Sequence, residues 1–302
     1  MRRFVITGAN GFMGLALTRR LLAQGAEVHA FTGRNHNALM TQAPGAEVYS
    51  LHGRPFEAAR LVRQIDPDAI FHLATVVTEP DDAPELAALL EANISLGASL
   101  LQGASQCSRP PAFVNAGSYW QYDTDGSHLP NTLYAATKQA FDELLQYHRR
   151  RYRIPTATLI LYDTYGEADT RQKLWRRLLT SPPGTEFPLS AGEQRMHLLH
   201  VDDVVDAFLQ AASLLREEKL EGTHYSVHSL HPRPLRELVE SLNAAAGLQL
   251  NLKWGALPYP ADQKFEPYVG EALPGWSPRV DVLDAMVRHG RNAATLQEEK
   301  AH

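Results

Sequence analysis

Residues 7–14 read Thr-Gly-Ala-Asn-Gly-Phe-Met-Gly, so Gly8, Gly11 and Gly14 stand between a short apolar run at 4–7 and a stretch with helical spacing at 12–24. Phe12, Ala16, Leu17, Leu21 and Leu22 carry the helical spacing, and Gly25 supplies a stop. A buried strand that turns this abruptly into a helix opens a βαβ unit, which confines the chain to a few layered α/β architectures. Gly8 permits the tight turn. Gly11 lets the backbone approach a pyrophosphate resting on the helix N-terminus, and Gly14 lets helix and strand pack closely. The spacing is GxxGxxG rather than the more familiar GxGxxG. A glycine turn without a ligand is the plainer alternative, but strand and helix both stand where a dinucleotide loop needs them.

The rest of the chain repeats the alternation. Strands are expected at 26–31, 47–51, 68–74, 112–116 and 156–162, with long helices at 84–104 and 133–152. This spacing predicts an α/β fold, a Rossmann-type doubly wound parallel sheet. The pattern weakens after residue 166. Pro182-Pro183-Gly184 marks a loop, a helix follows at 202–216, and prolines crowd the chain from about residue 229. The expected organisation is a dinucleotide-binding domain over 1–165, rejoined by about 196–228, and a smaller irregular C-terminal substrate-binding lobe within 166–302. The polar tail at 291–302 is expected to fray.

Composition narrows the function classes. Twenty-nine basic and 34 acidic residues give a net charge of −5, which argues against a nucleic-acid footprint. The lone Cys107 excludes an intramolecular disulfide and fits a reducing compartment. No apolar run approaches the roughly 20 residues of a membrane span, and the apolar start is too short for a signal peptide. The expected location is the cytoplasm.

Two further patterns carry chemistry. An acid at the end of the second strand would bond the adenosine ribose and favour NAD. The sequence instead runs Ala30-Phe31-Thr32-Gly33-Arg34, where Arg34 can pair with a 2′-phosphate. NADP(H) is therefore the expected cofactor, with NAD(H) possible, and a solvated loop arginine is the plain alternative for Arg34. Tyr134 and Lys138 lie four residues apart on one helix face. An ammonium beside a phenol favours the phenolate, so the pair predicts a tyrosine that exchanges its proton nearer neutral pH than about 10. Alone, such a pair is usually helix surface. Ser118, sixteen residues upstream, follows a strand whose end faces the ligand crevice of such a sheet. Serine, tyrosine and lysine behind a strand–glycine–helix turn form a far more specific combination.

In chain order come TGANGFMG at 7–14, FHLAT at 71–75, Asn93, Ser118, YAATK at 134–138, YDTYGE at 162–167, HVDD at 200–203 and Gly275-Trp276-Ser277-Pro278. Over roughly 3–280 this resembles the extended short-chain dehydrogenase/reductases, the NAD(P)-dependent epimerase/dehydratase family of nucleotide-sugar enzymes. The resemblance implies Ser118, Tyr134 and Lys138 as the catalytic set. It implies cofactor contacts from Gly8, Asn10, Gly11, Phe12, Met13, Gly14, Arg34, Leu73, Ala74 and Asn93, together with Tyr134 and Lys138. It implies substrate contacts from Thr75, Ser118, Tyr119, Trp120, Asp163, Arg171, Lys173 and Arg195. A homodimer through the helices at 84–104 and 133–152 is implied as well.

Departures from the family pattern narrow the activity. Tyr119 and Trp120 stand where the 4,6-dehydratases carry an Asp-Glu pair, and Met196 stands where the 4-epimerase branch places an arginine. The strings GSYWQY, LYAATKQAFDELL, LYDTYGEAD and SAGEQ look most like the CDP-abequose synthase group, NADPH-dependent 4-ketoreductases. The expected activity is NADPH-dependent reduction of a nucleotide-linked 4-keto-(di)deoxy sugar, with Tyr134 as proton donor. The alternatives are an NAD-dependent nucleotide-sugar epimerase and, in another class, a catalytically idle dinucleotide-binding regulator.

Other residues invite plainer readings. Pro232 and Pro234 keep His224, His228 and His231 from lining up on a helix, so no metal site is expected. His197 and His200 read as packing residues, and Asp202 and Asp203 as caps of the following helix. Tyr119, Trp120 and Tyr122 suit either the core or the wall of a sugar pocket. Cys107 reads as a small apolar residue, and Arg149, Arg150 and Arg151 as a solvated helix end.

Overall fold

The computed structural model describes residues 2–261 and 263–288, so the tail at 291–302 lies outside the described residues. In chain order the elements begin β1 (Arg3–Thr7), α1 (Phe12–Ala23), β2 (Glu27–Thr32), α2 (Asn37–Gln42), β3 (Glu47–Ser50), α3 (Glu57–Ile65) and β4 (Ala69–His72). There follow α4 (Ala83–Leu90), a π-helical turn (Glu91–Ser95), α5 (Leu96–Ala104), β5 (Ala112–Ser118), a 3₁₀ turn (Tyr119–Gln121), α6 (Leu133–Tyr152) and β6 (Thr156–Leu161). The remainder is β7 (Asp163–Tyr165), α7 (Leu174–Thr180), β8 (Glu186–Pro188), β9 (Arg195–Met196), β10 (Leu198–His200), α8 (Val201–Arg216), β11 (His224–Val227), β12 (Arg233–Pro234), α9 (Leu235–Ala245) and β13 (Asn251–Lys253).

Two compact units result. The first takes the chain to Leu161, then Val205–Val227 and Tyr268–Trp276. It holds a seven-stranded sheet in the order β11-β6-β5-β4-β1-β2-β3. Every pairing is parallel, as the alternation predicts. The inner strands β1, β4, β5 and β6 are largely apolar and almost wholly buried, which a sheet covered by helices on both faces requires. Val5, Phe31, Ile70 and Phe113 of the sheet meet Leu61, Val62, Leu100, Leu101, Phe141 and Leu145 of the helices in one core. The strand order reverses between β1 and β4, and ligands of such sheets bind beyond the carboxyl ends of the strands at that switch.

Ala83–Ala104 is, by length and composition alone, long and apolar enough to cross a membrane, although no such run stands out in the sequence reading. Its small residues serve packing in this sheet layer. Gly97 lets the Phe141 ring approach, and a Cβ on Gly103 would meet Val62 and the Ala59 backbone. Cys107 is partly buried, with its thiol directed at the carbonyls of Val62 and Gly103. Burial pushes that thiol up to about 12, so it stays an inert thiol at neutral pH.

The second unit holds Tyr162–Val204, His228–Pro267 and the residues from Ser277 on. Three small pairings organise it: β7 with β10, β8 with β13, and β9 with β12. The proline-rich stretch is less irregular than its composition predicts. Pro234 precedes α9, whose Leu235, Leu238, Val239 and Leu242 close a core with Trp175, Leu178, Phe187 and Leu198. The capping expectation for Asp202 and Asp203 does not hold. The helix starts at Val201, so both lie in its first turn. The Asp203 carboxylate instead accepts from the backbone N–H groups of Arg279 and Val280, at 3.0 and 3.1 Å.

Candidate active site

The glycine turn leaves β1 with almost no room for side chains. Gly8 has φ +65°, and a Cβ there would lie 2.8 Å from the Ala74 backbone nitrogen. A Cβ on Gly14 would lie 2.2 Å from the Gly8 carbonyl oxygen, so α1 rests directly on the turn. Gly11 caps α1, donates to the Gly8 carbonyl at 2.8 Å, and is otherwise open where a Cβ would project. A backbone concavity of this kind at a helix N-terminus fits a dinucleotide pyrophosphate, and any side chain at Gly11 would fill it. Asn10 fastens the turn to α2, its Oδ1 accepting from the Leu39 N–H at 3.2 Å. Phe12 and Met13 are half-buried in the first turn of α1.

Thr7 and His72 end adjacent strands and hold the neighbouring wall. The Thr7 hydroxyl lies 2.8 Å from His72 Nδ1 and accepts from the Ala74 N–H at 3.1 Å, while Leu73 is buried. Sequence reasoning passed over Thr7, because its role appears only once β1 pairs with β4. Burial, aided by the Lys138 ammonium, pushes the His72 imidazole down to about 3, so the ring is neutral at pH 7. The unfolded chain takes up that proton near pH 6.5 and the folded chain only near 3, so the unfolded state binds more protons in between. Stability therefore falls as pH drops through this window, by about 1.4 kcal/mol per pH unit from this group. Urea unfolding of the parent and of His72→Phe between pH 6 and 4.5 checks it: the variant loses that part of the slope, and equal slopes refute the assignment.

Ser118 ends β5 and caps the 3₁₀ turn. Its Oγ accepts from the Trp120 N–H at 3.2 Å, and its own N–H donates to Gln121 Oε1 at 2.8 Å. Gln121 was missed, although the Ser-x-x-Gln spacing of a capping box is readable at 118–121. Thr132 caps α6, which brings Tyr134 and Lys138 over the strand ends. The Ser118 and Thr75 hydroxyls act on the Tyr134 phenol by favouring its ionised form. Trp120 packs edge-on against the Tyr134 ring at 5.9 Å, and Tyr119 packs edge-on against Trp120 at 6.2 Å. Tyr122 is buried against Tyr268 and His128, which answers the open question for that ring in favour of the core.

The expected lowering of the Tyr134 pKa is not found. Burial raises the Tyr134 pKa above its ordinary value, and the Ser118 and Thr75 hydroxyls only partly offset the rise. The lysine Nζ lies 5.9 Å from the ring centroid and donates to the Ala116 carbonyl at 2.9 Å. It is itself buried, which pushes it down to about 8. The phenol thus keeps its proton throughout the neutral range.

Asn93 sits in the π-helical turn, buried, with both ends of its amide engaged. Oδ1 accepts from the Thr75 hydroxyl at 3.0 Å and the Val76 N–H at 2.8 Å. Nδ2 donates to the Val76 carbonyl at 3.0 Å and the Thr137 hydroxyl at 2.9 Å. The side chain fixes the loop after β4 to α6, and no part of the amide is left over for a cofactor. Arg34 is exposed beyond β2, with Nε donating to His52 Nε2 at 3.0 Å.

The second unit carries the remaining candidates. Arg171 is clasped by Asp169, with Nε and Nη2 donating at 2.7 and 2.6 Å. Burial raises the Asp163 pKa, and the Lys173 and Arg171 charges hold the rise back. Arg195 donates to the Pro232 carbonyl at 3.2 Å and lies 3.9 Å from Glu266. His197 and His200 are buried packing groups. His197 meets Tyr162, His228 and the Ser229 carbonyl, and burial pushes it down to about 4. His200 bonds Glu167 at 3.0 Å. In the first unit, His224 is tied to the buried Asp142 carboxylate at 2.7 Å. Among the described residues no three His, Cys, Asp or Glu side chains gather as a metal site.

A model of the NAD dependent epimerase/dehydratase family matches residues 4–227. The chain belongs to that family. It is 27% identical to a CDP-abequose synthase from Yersinia pseudotuberculosis, over 84% of this chain and 88% of that one. It is 23% identical to a probable UDP-glucuronate 4-epimerase from Rhizobium meliloti (strain 1021), over 95% of each. A solved structure of dTDP-glucose 4,6-dehydratase from Streptomyces venezuelae, with NAD and TYD bound, matches with a TM-score of 0.76 at 22% identity, covering 96% of both chains. That last likeness is one of fold. The protein is thus an enzyme of the extended short-chain dehydrogenase/reductase type, in a family that uses NAD and modifies nucleotide sugars.

Proposed function

We propose that this enzyme reduces the 4-keto group of a nucleotide-linked (di)deoxy sugar to the alcohol, with NADPH as reductant. The observation that carries the reading is the partly buried Tyr134 phenol, set with Ser118 and Thr75 and kept protonated by desolvation. With its pyrophosphate held on the glycine turn, bound NADPH would supply the hydride that the carbonyl carbon takes up. Tyr134 gives its phenolic proton to the carbonyl oxygen as general acid. Ser118 bonds the same oxygen and polarises it, and Lys138 holds a positive charge beneath the phenol and bonds a cofactor ribose hydroxyl. Neither Tyr119 nor Trp120 has a carboxylate for water elimination, which disfavours the dehydratase reaction. Arg34, with no acid at the end of β2, supports NADPH over NADH.

The 27% identity to a CDP-abequose synthase directs the first assay. Purified protein given NADPH and a CDP-linked 4-keto-3,6-dideoxyhexose is expected to oxidise NADPH in step with alcohol formation. No oxidation with either NADPH or NADH refutes the substrate assignment. A second reading, an epimerase with retained NAD, is favoured by the likeness to the 4-epimerase along 95% of both chains. Nicotinamide absorbance that survives gel filtration, with interconversion of a nucleotide sugar and its 4-epimer, would select it. Self-association belongs to the same proposal: Leu86 and Leu90 of α4 and Leu133 and Tyr147 of α6 are exposed and suit a second copy, as light scattering would reveal. The partly buried thiol of Cys107 and the net charge of −5 suit the cytoplasm.

A further inference from the structure

The edge of the first unit formed by β2 and β3 carries a polar pair with no part in the reduction itself. The chain segments leaving these strands are laced together: the Thr32 carbonyl accepts from the Leu51 N–H at 2.9 Å, and the Gly33 carbonyl from the Ser50 hydroxyl at 3.1 Å. On this brace Arg34 Nε donates to His52 Nε2 at 3.0 Å. The guanidinium is thereby gripped by its inner nitrogen, and its two terminal nitrogens have no protein partner among the described residues, on a side chain that is exposed. Nearby acids are engaged elsewhere: Glu57 accepts from Arg54 at 3.2 Å, and Glu91 from the Gly53 N–H at 3.0 Å. A guanidinium anchored in this way keeps both terminal nitrogens for a bidentate phosphate.

We propose that His52 is a positioning residue for cofactor selectivity, holding Arg34 so that its fork meets the 2′-phosphate of NADP(H). The inference rests on the reading of Arg34 as the 2′-phosphate partner and adds what makes that partner effective. A free arginine on a loop end samples many rotamers, and ordering it on binding weakens the complex; a side chain ordered in advance avoids that loss. The benefit applies only to ligands that carry the 2′-phosphate.

Calorimetric titration with 2′,5′-ADP and 5′-AMP isolates this phosphate from the rest of the cofactor and needs no turnover. The parent is expected to bind 2′,5′-ADP at least about 10-fold more tightly than 5′-AMP, as one charge-assisted phosphate contact implies. His52→Ala is expected to weaken 2′,5′-ADP about 3- to 10-fold and leave 5′-AMP unchanged, the scale of one ordered side chain. His52→Gln, whose amide oxygen can accept from Nε, restores most of the loss. Arg34→Ala removes the preference, and His52→Ala adds nothing in that background. Unchanged 2′,5′-ADP binding in His52→Ala overturns the inference, as does equal loss of both ligands or a further loss in the Arg34→Ala background. A parent that does not distinguish the two ligands overturns the NADP(H) reading itself, and the inference with it.

Discussion

Tyr134→Phe is expected to lower turnover by about 10²- to 10⁴-fold, the usual worth of a positioned general acid. The ring keeps its packing against Trp120, so the fold has little reason to change. Ser118 Oγ still accepts from the Trp120 N–H, and the Thr75 hydroxyl still donates to Asn93, so neither partner is orphaned by the lost phenol. Stability should therefore change by no more than about 1 kcal/mol, the net worth of an ordinary hydrogen bond. Cofactor affinity should hold. Single-turnover kinetics with saturating NADPH, beside a urea unfolding curve, separates these effects. Full turnover in the variant would refute Tyr134 as the proton donor. The parent's pH profile adds a second check: Lys138, at about 8, loses its charge before the burial-raised Tyr134 gives up its proton, so the first alkaline loss of activity reports the lysine.

Gly14→Ala is expected to destabilise the fold by about 3 kcal/mol, the upper part of the range for overpacking, and to weaken cofactor binding at least 10-fold. The added methyl would sit 2.2 Å from the Gly8 carbonyl oxygen and 2.8 Å from Ala9 Cα. Both are backbone atoms, so relief requires α1 to lift off the turn, which moves the helix N-terminus away from the pyrophosphate position. Gly11→Ala gives the contrast. Its methyl has one neighbour within 4 Å, the Gly8 carbonyl at 3.1 Å, so the protein should stay near parental stability while losing cofactor affinity. Urea unfolding and NADP titration of both variants read the two costs separately. Parental stability in Gly14→Ala would refute the packing argument.

The sheet was legible because its signals are local. A parallel strand buried on both faces is a short apolar run, and glycines at fixed spacing are the only residues that pass from such a strand into a helix this tightly. The second unit was less legible. Prolines read as irregularity, yet Pro234 stands just before α9, a place that suits a residue with a fixed φ and no N–H. In the Ser118, Tyr134 and Lys138 set, residue types and spacing were readable, but their electrostatics were not. Proximity of an ammonium argues for a lowered phenol pKa, while burial of both groups raises Tyr134 and lowers Lys138. Desolvation depends on how much protein covers a group, and one-dimensional spacing does not carry that quantity.

By itself, then, the sequence determined the parallel α/β architecture, the glycine turn, the Ser–Tyr–Lys set and the missing carboxylates at 119 and 120, because each is a matter of residue type at a short, fixed separation. Only the tertiary structure decided that Asn93 is spent on Val76, Thr75 and Thr137, that Asp203 serves the backbone at 279 and 280 rather than its own helix, and that Arg34 rests on His52. Hydrogen bonds saturate: the Asn93 amide, claimed by partners 17 to 44 residues away, is no longer available to a ligand, and those partners are neighbours only once the chain has folded.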